Sequence, residues 1–259
     1  MKHVLFTCCL ALQILTAQNN VEAKLIKSYD VNDETIISFD NFGRAYFIKD
    51  NVFYIKTSPV NLSYNNFQLG NLTSINTFNP LKINLFYKDF NTVIILDNRL
   101  AEIYKIDFNR MSPYINVSHV STGNDNTLWV FNQDLQRLEL FDYKSQTTRA
   151  QIVPVQSYPL DLVSNFNYCW LLTEKYLFMY NYFGRLVKKI ENNGYTEISQ
   201  YNENVILKKN DKLYYLGKNE DIIRQIQTPN LSINAFFVTN ETLYIYNDET
   251  LQQYQLKTN

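Results

Sequence analysis

Few residues in this chain are able to do chemistry, and they are scattered. Cys169 lies in the apolar run YCWLL and His119 in INVSHVST. A reactive thiol wants a neighbouring base or cation and some exposure; neither is visible around Cys169, which reads as a buried structural cysteine. His119 has an imidazole suited to proton transfer near neutral pH, but one histidine makes no triad, and in a strand-like stretch it reads as a structural or surface residue. More regular is a set of acids, one in each of six short turns: Asp50, Asp97, Asp134, Glu174, Asp211 and Asp248. Six acids around one rim would attract a cation such as calcium, or a basic partner. The competing reading is that Asp makes good hairpin turns, and Lys49, Arg99, Lys175 and Lys212 beside them dilute any acidic field. The six are candidate binding-face turns. No catalytic, metal-ligating or cofactor-binding residue is assigned.

The elements that must position these turns repeat along the chain. YLFMYNYFGRLVKKI (176–190) returns 36 positions later as KLYYLGKNEDIIRQI (212–226), and DLVSNFNYCWLL (161–172) returns at the same distance as EISQYNENVILK (197–208). A further step of 38 carries YNENVILKKND onto TNETLYIYNDE (239–249), NTLWVFN (126–132) repeats the ETLYIYN of 241–247, and looser copies lie at 92–106 and 44–57. Self-similarity at this period marks a repeat architecture. Each copy parses as apolar strand, polar turn, strand, acidic turn, strand and outer strand. Apolar and polar residues alternate along Arg137, Leu138, Glu139 and Leu140, as in strands. No segment has a helical period.

Spacings of 37 to 47 residues between the six turns match a four-stranded propeller blade and exceed the coil of a β-helix. The chain resembles a six-bladed β-propeller, similar in blade pattern to the NHL, YWTD and other exported six-bladed families. The YWTD tetrapeptide is absent and glycine numbers only 6. Asn and Asp stand in its place in turns, since they tolerate the left-handed backbone. The last copy stops at its third strand, and LIKSY (25–29) matches the fourth-strand pattern of 186–190. The fold expected is therefore all-β: six four-stranded blades, the ring closed by the N-terminal strand completing the last blade, which removes two raw edges.

At the N-terminus, MKHVLFTCCLALQILTAQ has a cation, a short apolar run and a small residue at Ala17. This is the layout of a secretory signal peptide over 1–17, preceding a single propeller domain over 18–259. Cleavage there leaves Cys169 as the only cysteine of the original three, so no internal disulfide can form. The Asn- and Tyr-rich composition with a leader ending LTAQ is similar to exported proteins of Bacteroidota, which implies the periplasm or an outer-membrane association. With a formal charge of -1 and a pI near 6.2, the chain has no basic field for nucleic acid. No membrane span follows the leader.

The function expected from these observations is a non-catalytic docking disc in the bacterial envelope, a monomer or a subunit of a complex, presenting a face to a protein or a glycan. The irregular connection 58–82 is the place for such a contact, unless it holds a wandering fourth strand. The alternative is a periplasmic metal-dependent hydrolase or lactonase, which requires carboxylates and Asn side chains of several blades to converge on the central channel.

Overall fold

The computed structural model describes residues 20–31, 34–40, 42–239, 241–247 and 250–258. The leader read at 1–17 and the turn acid Asp248 lie outside them. In chain order the strands are β1 (Val21–Asp30), β2 (Thr35–Phe39), β3 (Ala45–Lys49), β4 (Val52–Ile55), β5 (Leu62–Tyr64), β6 (Ser74–Asn76), β7 (Ile83–Tyr87), β8 (Thr92–Leu96) and β9 (Glu102–Asp107). They continue as β10 (Val117–Thr122), β11 (Thr127–Asn132), β12 (Arg137–Asp142), β13 (Thr147–Gln151), β14 (Pro159–Ser164), β15 (Tyr168–Thr173), β16 (Tyr176–Asn181) and β17 (Leu186–Glu191). The last are β18 (Glu197–Tyr201), β19 (Asn204–Lys209), β20 (Lys212–Leu216), β21 (Arg224–Gln227), β22 (Ala235–Thr239), β23 (Thr242–Asn247) and β24 (Thr250–Lys257). Helical structure among the described residues is limited to three-residue 3-10 turns at Phe67–Leu69, Lys88–Phe90 and Phe108–Arg110. Among the described residues no helix is long and apolar enough to cross a membrane.

Burial follows from position in the sheet. The second strands, TLWVFN in β11 and YCWLLT in β15, are covered on both faces and almost wholly buried, whereas outer strands such as β17 alternate exposed and half-buried residues. Facing sheets interlock through large side chains. Trp129, Phe131 and Leu138 pack with Cys169, Leu171 and Phe178 in one layer, and Trp170 and Leu172 with Val205 and Leu207 in the next. Each such side chain contributes roughly 2–3 kcal/mol on burial. Asn and Asp do occupy left-handed turn positions, at Asp50, Asn51, Asp125, Asn202 and Asn210, but Gln136, Glu203 and Glu241 do so as well.

The sheet order corrects the expected division into blades, and with it the resemblance to the six-bladed NHL and YWTD families. Four propeller-like four-stranded sheets are separate: β2–β5, β6–β9, β10–β13 and β14–β17. The remaining strands form one eight-stranded sheet in the order β18-β19-β20-β21-β1-β24-β23-β22. The N-terminal strand lies antiparallel to β24 over Glu22–Asp30, but it also runs parallel to β21 through Val21↔Ile226 and Glu22↔Gln227. It is thus an interior strand, not the outer edge of a last blade. The reason is length: β1 begins ahead of its partner's register, and its first residues satisfy their backbone groups on β21, as a buried strand must. The two edges of this sheet, β18 and β22, come back beside one another, with the Val238 N–H donating to Ser199 Oγ at 3.2 Å, so the sheet nearly closes on itself. The connection at 58–82 holds the short strands β5 and β6 and a 3-10 turn.

Candidate functional site in the central channel

Strands β2, β6, β10, β14, β18 and β22 surround a common channel, and hydrogen bonds that involve a polar side chain, some of them with backbone groups, link each to the next. Ser38 Oγ meets Thr77 Oγ1 at 2.6 Å, just beyond β6. Asn76 donates to Ser121 Oγ at 3.1 Å and accepts from Thr122 Oγ1 at 2.9 Å. Ser164 Oγ donates to Ser121 Oγ at 2.7 Å, and Gln200 Nε2 donates to the Ser164 carbonyl at 3.2 Å. Thr239 Oγ1 donates to the Phe39 carbonyl at 3.1 Å, which returns the belt to β2. Small hydroxyl and amide residues suit the crowded axis, where buried polar groups must find partners.

Against this belt, towards the end of the channel where turns follow the innermost strands, lies a cavity of about 570 Å³. Its wall is mostly neutral: Asn76, Asn165, Asn167 and Gln200 supply amides, and Ser38, Ser199 and Thr239 supply hydroxyls. Phe78 and Phe166 stand at the mouth, edge to face at 4.9 Å. Two carboxylates reach it, with different duties. Asp40 is consumed by its own turn, accepting from the backbone of Phe42 and Arg44 and pairing with Arg44 Nε at 2.6 Å. Burial alone would raise its pKa, but these donors outweigh that and hold it below the ordinary value. Glu203 is instead held by groups from outside its turn: Asn167 Nδ2 at 3.2 Å and Lys218 Nζ at 2.6 Å. Its backbone φ is 67°, unusual for a residue other than Gly, Asn or Asp. The neighbouring Gln200 Oε1 is buried in the cavity wall with no hydrogen-bond partner. An unsatisfied buried acceptor costs on the order of 1–3 kcal/mol, so such groups are rare unless something else completes them.

The residues singled out from sequence sit elsewhere. None of the described turn acids lines this cavity. Asp50, Asp134, Glu174 and Asp211 occupy turns between second and third strands, whereas Asp97 lies between the third and fourth strands of its sheet. Three of these carboxylates hold neighbouring structure: Asp134 accepts from Asn116 Nδ2 at 2.8 Å, Asp211 from the Ile233 N–H at 2.9 Å, and Asp97 from the Arg99 and Ala101 N–H groups at 2.8 and 2.9 Å. Among the described residues no group of three or more His, Cys, Asp and Glu gathers as a metal site. The turn acids therefore offer calcium no cluster of that kind among the described residues. Cys169 is wholly buried, and burial raises its thiol pKa well above the usual range.

His119 lies in the channel wall on β10, away from the cavity, with Nδ1 3.0 Å from Ser118 Oγ; burial, aided by Lys88, lowers its pKa to about 4. Asp161 takes the corresponding place on β14. It accepts the Leu162 and Ile198 N–H groups, both at 2.8 Å, and burial raises its pKa to about 6 despite them. Sequence reasoning missed Glu203, Gln200 and Asn167. The usable signal was the repeat itself: Asn167 and Glu203, like Ser164 and Gln200, are one period of 36 apart and touch across neighbouring strands.

No protein-family model matches the chain, and neither does any curated protein. Solved structures do. A streptogramin B lyase structure superposes with a TM-score of 0.61 at 16% identity, covering 94% of this chain and 90% of that one. A catalytically inactive histidine-to-alanine variant of virginiamycin B lyase from Staphylococcus aureus, with quinupristin, gives 0.62 at 14% identity, covering 94% and 97%. BamB from Moraxella catarrhalis gives 0.52 at 11% identity, covering 92% and 98%. At such identities the likeness is one of fold. The expectation of a purely docking disc is corrected here: the better superpositions are with the B lyases, and the channel ends in a concave cavity whose wall carries an unsatisfied buried acceptor.

Proposed function

We propose that the protein is an enzyme of the lyase kind, with its active centre in the cavity at the end of the channel and a neutral, hydrogen-bond-donating small molecule as its substrate. The observation that carries this reading is Gln200 Oε1, a buried acceptor without a partner in the wall of a cavity of about 570 Å³. A substrate hydroxyl or N–H would complete it. The neutral amides and hydroxyls beside it favour an uncharged ligand, since the two carboxylates that reach the cavity are already paired with Arg44 and Lys218, and Phe78 and Phe166 offer apolar edges at the entrance. Glu203 acts as general base. Asn167 and Lys218 orient its carboxylate, and removal of a substrate proton by a positioned carboxylate is the step that an elimination requires. The fold shared with streptogramin B lyases supports this class of reaction.

The test is to incubate the purified protein with quinupristin and with a panel of small neutral lactones, following products by mass spectrometry. Glu203→Gln should lower kcat about 100-fold or more, and Gln200→Leu should raise KM, both with unfolding midpoints near the wild type. Consumption of no substrate, or full turnover by Glu203→Gln, overturns the proposal. We further propose that the enzyme acts outside the cytoplasm, on the reading of residues 1–17 as a leader; protein recovered from its source should then begin after Ala17.

A further inference from the structure

A second concave site lies on the outer side of the molecule, away from the channel. The connection 151–156 leaves β13 and passes over β16, and between them opens a cleft of about 570 Å³. Its floor is aromatic, from Tyr176 and Phe178, and its sides are aliphatic, with Val153 80% and Leu186 48% exposed. Gly184 (φ +84°) brings the β16–β17 turn against this connection, where an added Cβ would lie 2.8 Å from Ile152 Cδ1. The only charged groups lining the cleft are Lys175 and Lys189. Lys189 Nζ rests 3.7 Å from the centroid of the Tyr176 ring and 5.5 Å from that of Phe178. Among the described residues neither ammonium has a carboxylate within 4.0 Å.

We propose that this cleft binds a single amphiphile with an anionic head, a fatty-acid-like carboxylate. The head sits on Lys189 and Lys175, and the alkyl chain lies along Tyr176, Phe178 and Val153. Charge complementarity selects the class. Two cations without carboxylate partners beside an apolar trough favour an anion joined to an apolar tail, and the ring under Lys189 fixes the ammonium over the floor. Exposed apolar side chains grouped around a concavity mark a binding surface. The assignment is independent of the reaction assigned to the channel.

The experiment is titration of the full chain with dodecanoate below its micellar concentration, followed by native mass spectrometry and calorimetry, with dodecyl maltoside as neutral competitor. One equivalent should bind saturably, dodecyl maltoside should fail to displace it, and Lys189→Gln should weaken binding about tenfold. Lys175→Gln should weaken it in the same direction. Both lysines are exposed, so unfolding midpoints of the variants should match the wild type. Non-saturable uptake, equal binding of the neutral amphiphile, or affinity unchanged in Lys189→Gln overturns the proposal. So does co-sedimentation with phosphatidylglycerol vesicles in the absence of dodecanoate binding, which would assign the patch to a lipid surface instead.

Discussion

Asp161 and His119 stand at matching registers on neighbouring channel strands, each two residues before the one paired with a tryptophan, and burial shifts them in opposite directions. Their linkage to stability therefore differs in sign. Asp161 holds its proton up to about pH 6 in the folded chain, against about 4 when unfolded. The native state thus binds the extra proton over that window, and stability falls as pH rises through it. His119 has a folded pKa of about 4 against 6.5 unfolded, so its contribution is complete above 6.5 and is lost as pH falls toward 4. Denaturant midpoints from pH 3.5 to 7.5 check both. Apart from a constant offset, Asp161→Asn should gain on the wild type as pH rises from 4 to 6, and His119→Gln should gain as pH falls below 6.5, each by up to ~3 kcal/mol. Parallel curves for either variant would refute its assignment. Neither group announces itself in the sequence, because a shift of this kind comes from what neighbouring strands place around the side chain.

At the scale of elements, β1 is the strand with most to reveal. Its residues 25–29 repeat an outer-strand pattern, and Leu25 and Ile26 are indeed half exposed. Its first residue behaves otherwise. Val21 is wholly buried among Ile226, Leu213, Leu243 and Tyr254 at the join with β21. Val21→Asp should therefore cost about 3 kcal/mol or more, since it buries a charge without a partner, whereas Leu25→Ser should stay within about 0.5 kcal/mol. Urea unfolding of both variants distinguishes the two positions, and equal effects would contradict a central role for the join. The pattern of alternating residues was legible in the strand; its second partner was not, because period-two alternation specifies faces and leaves edges undefined.

For the whole molecule, the polar belt around the channel joins strands far apart in sequence, Phe39 to Thr239 among them, and it holds these strands together without a metal site among the described residues. Treatment with a chelator should accordingly leave the thermal midpoint unchanged, as differential scanning calorimetry can measure. A fall of several degrees would show that a bound ion contributes to stability. The likeness in overall fold to the B lyases and to BamB shows why the scaffold alone does not specify chemistry: function resides in the side chains lining the site.

The sequence by itself determined the all-β class, the hairpin unit and its period, the near-neutral net charge and the burial of Cys169. Each of these depends on local pattern or composition, which the chain carries in order. The tertiary structure decided how the strands divide into sheets, which of several carboxylates reaches a cavity, and that Gln200 Oε1 is left without a partner. Those outcomes depend on edges and on side chains meeting across strands 36 or more residues apart. The repeat indicates that such meetings occur, but only packing around the axis determines which atoms face the ligand.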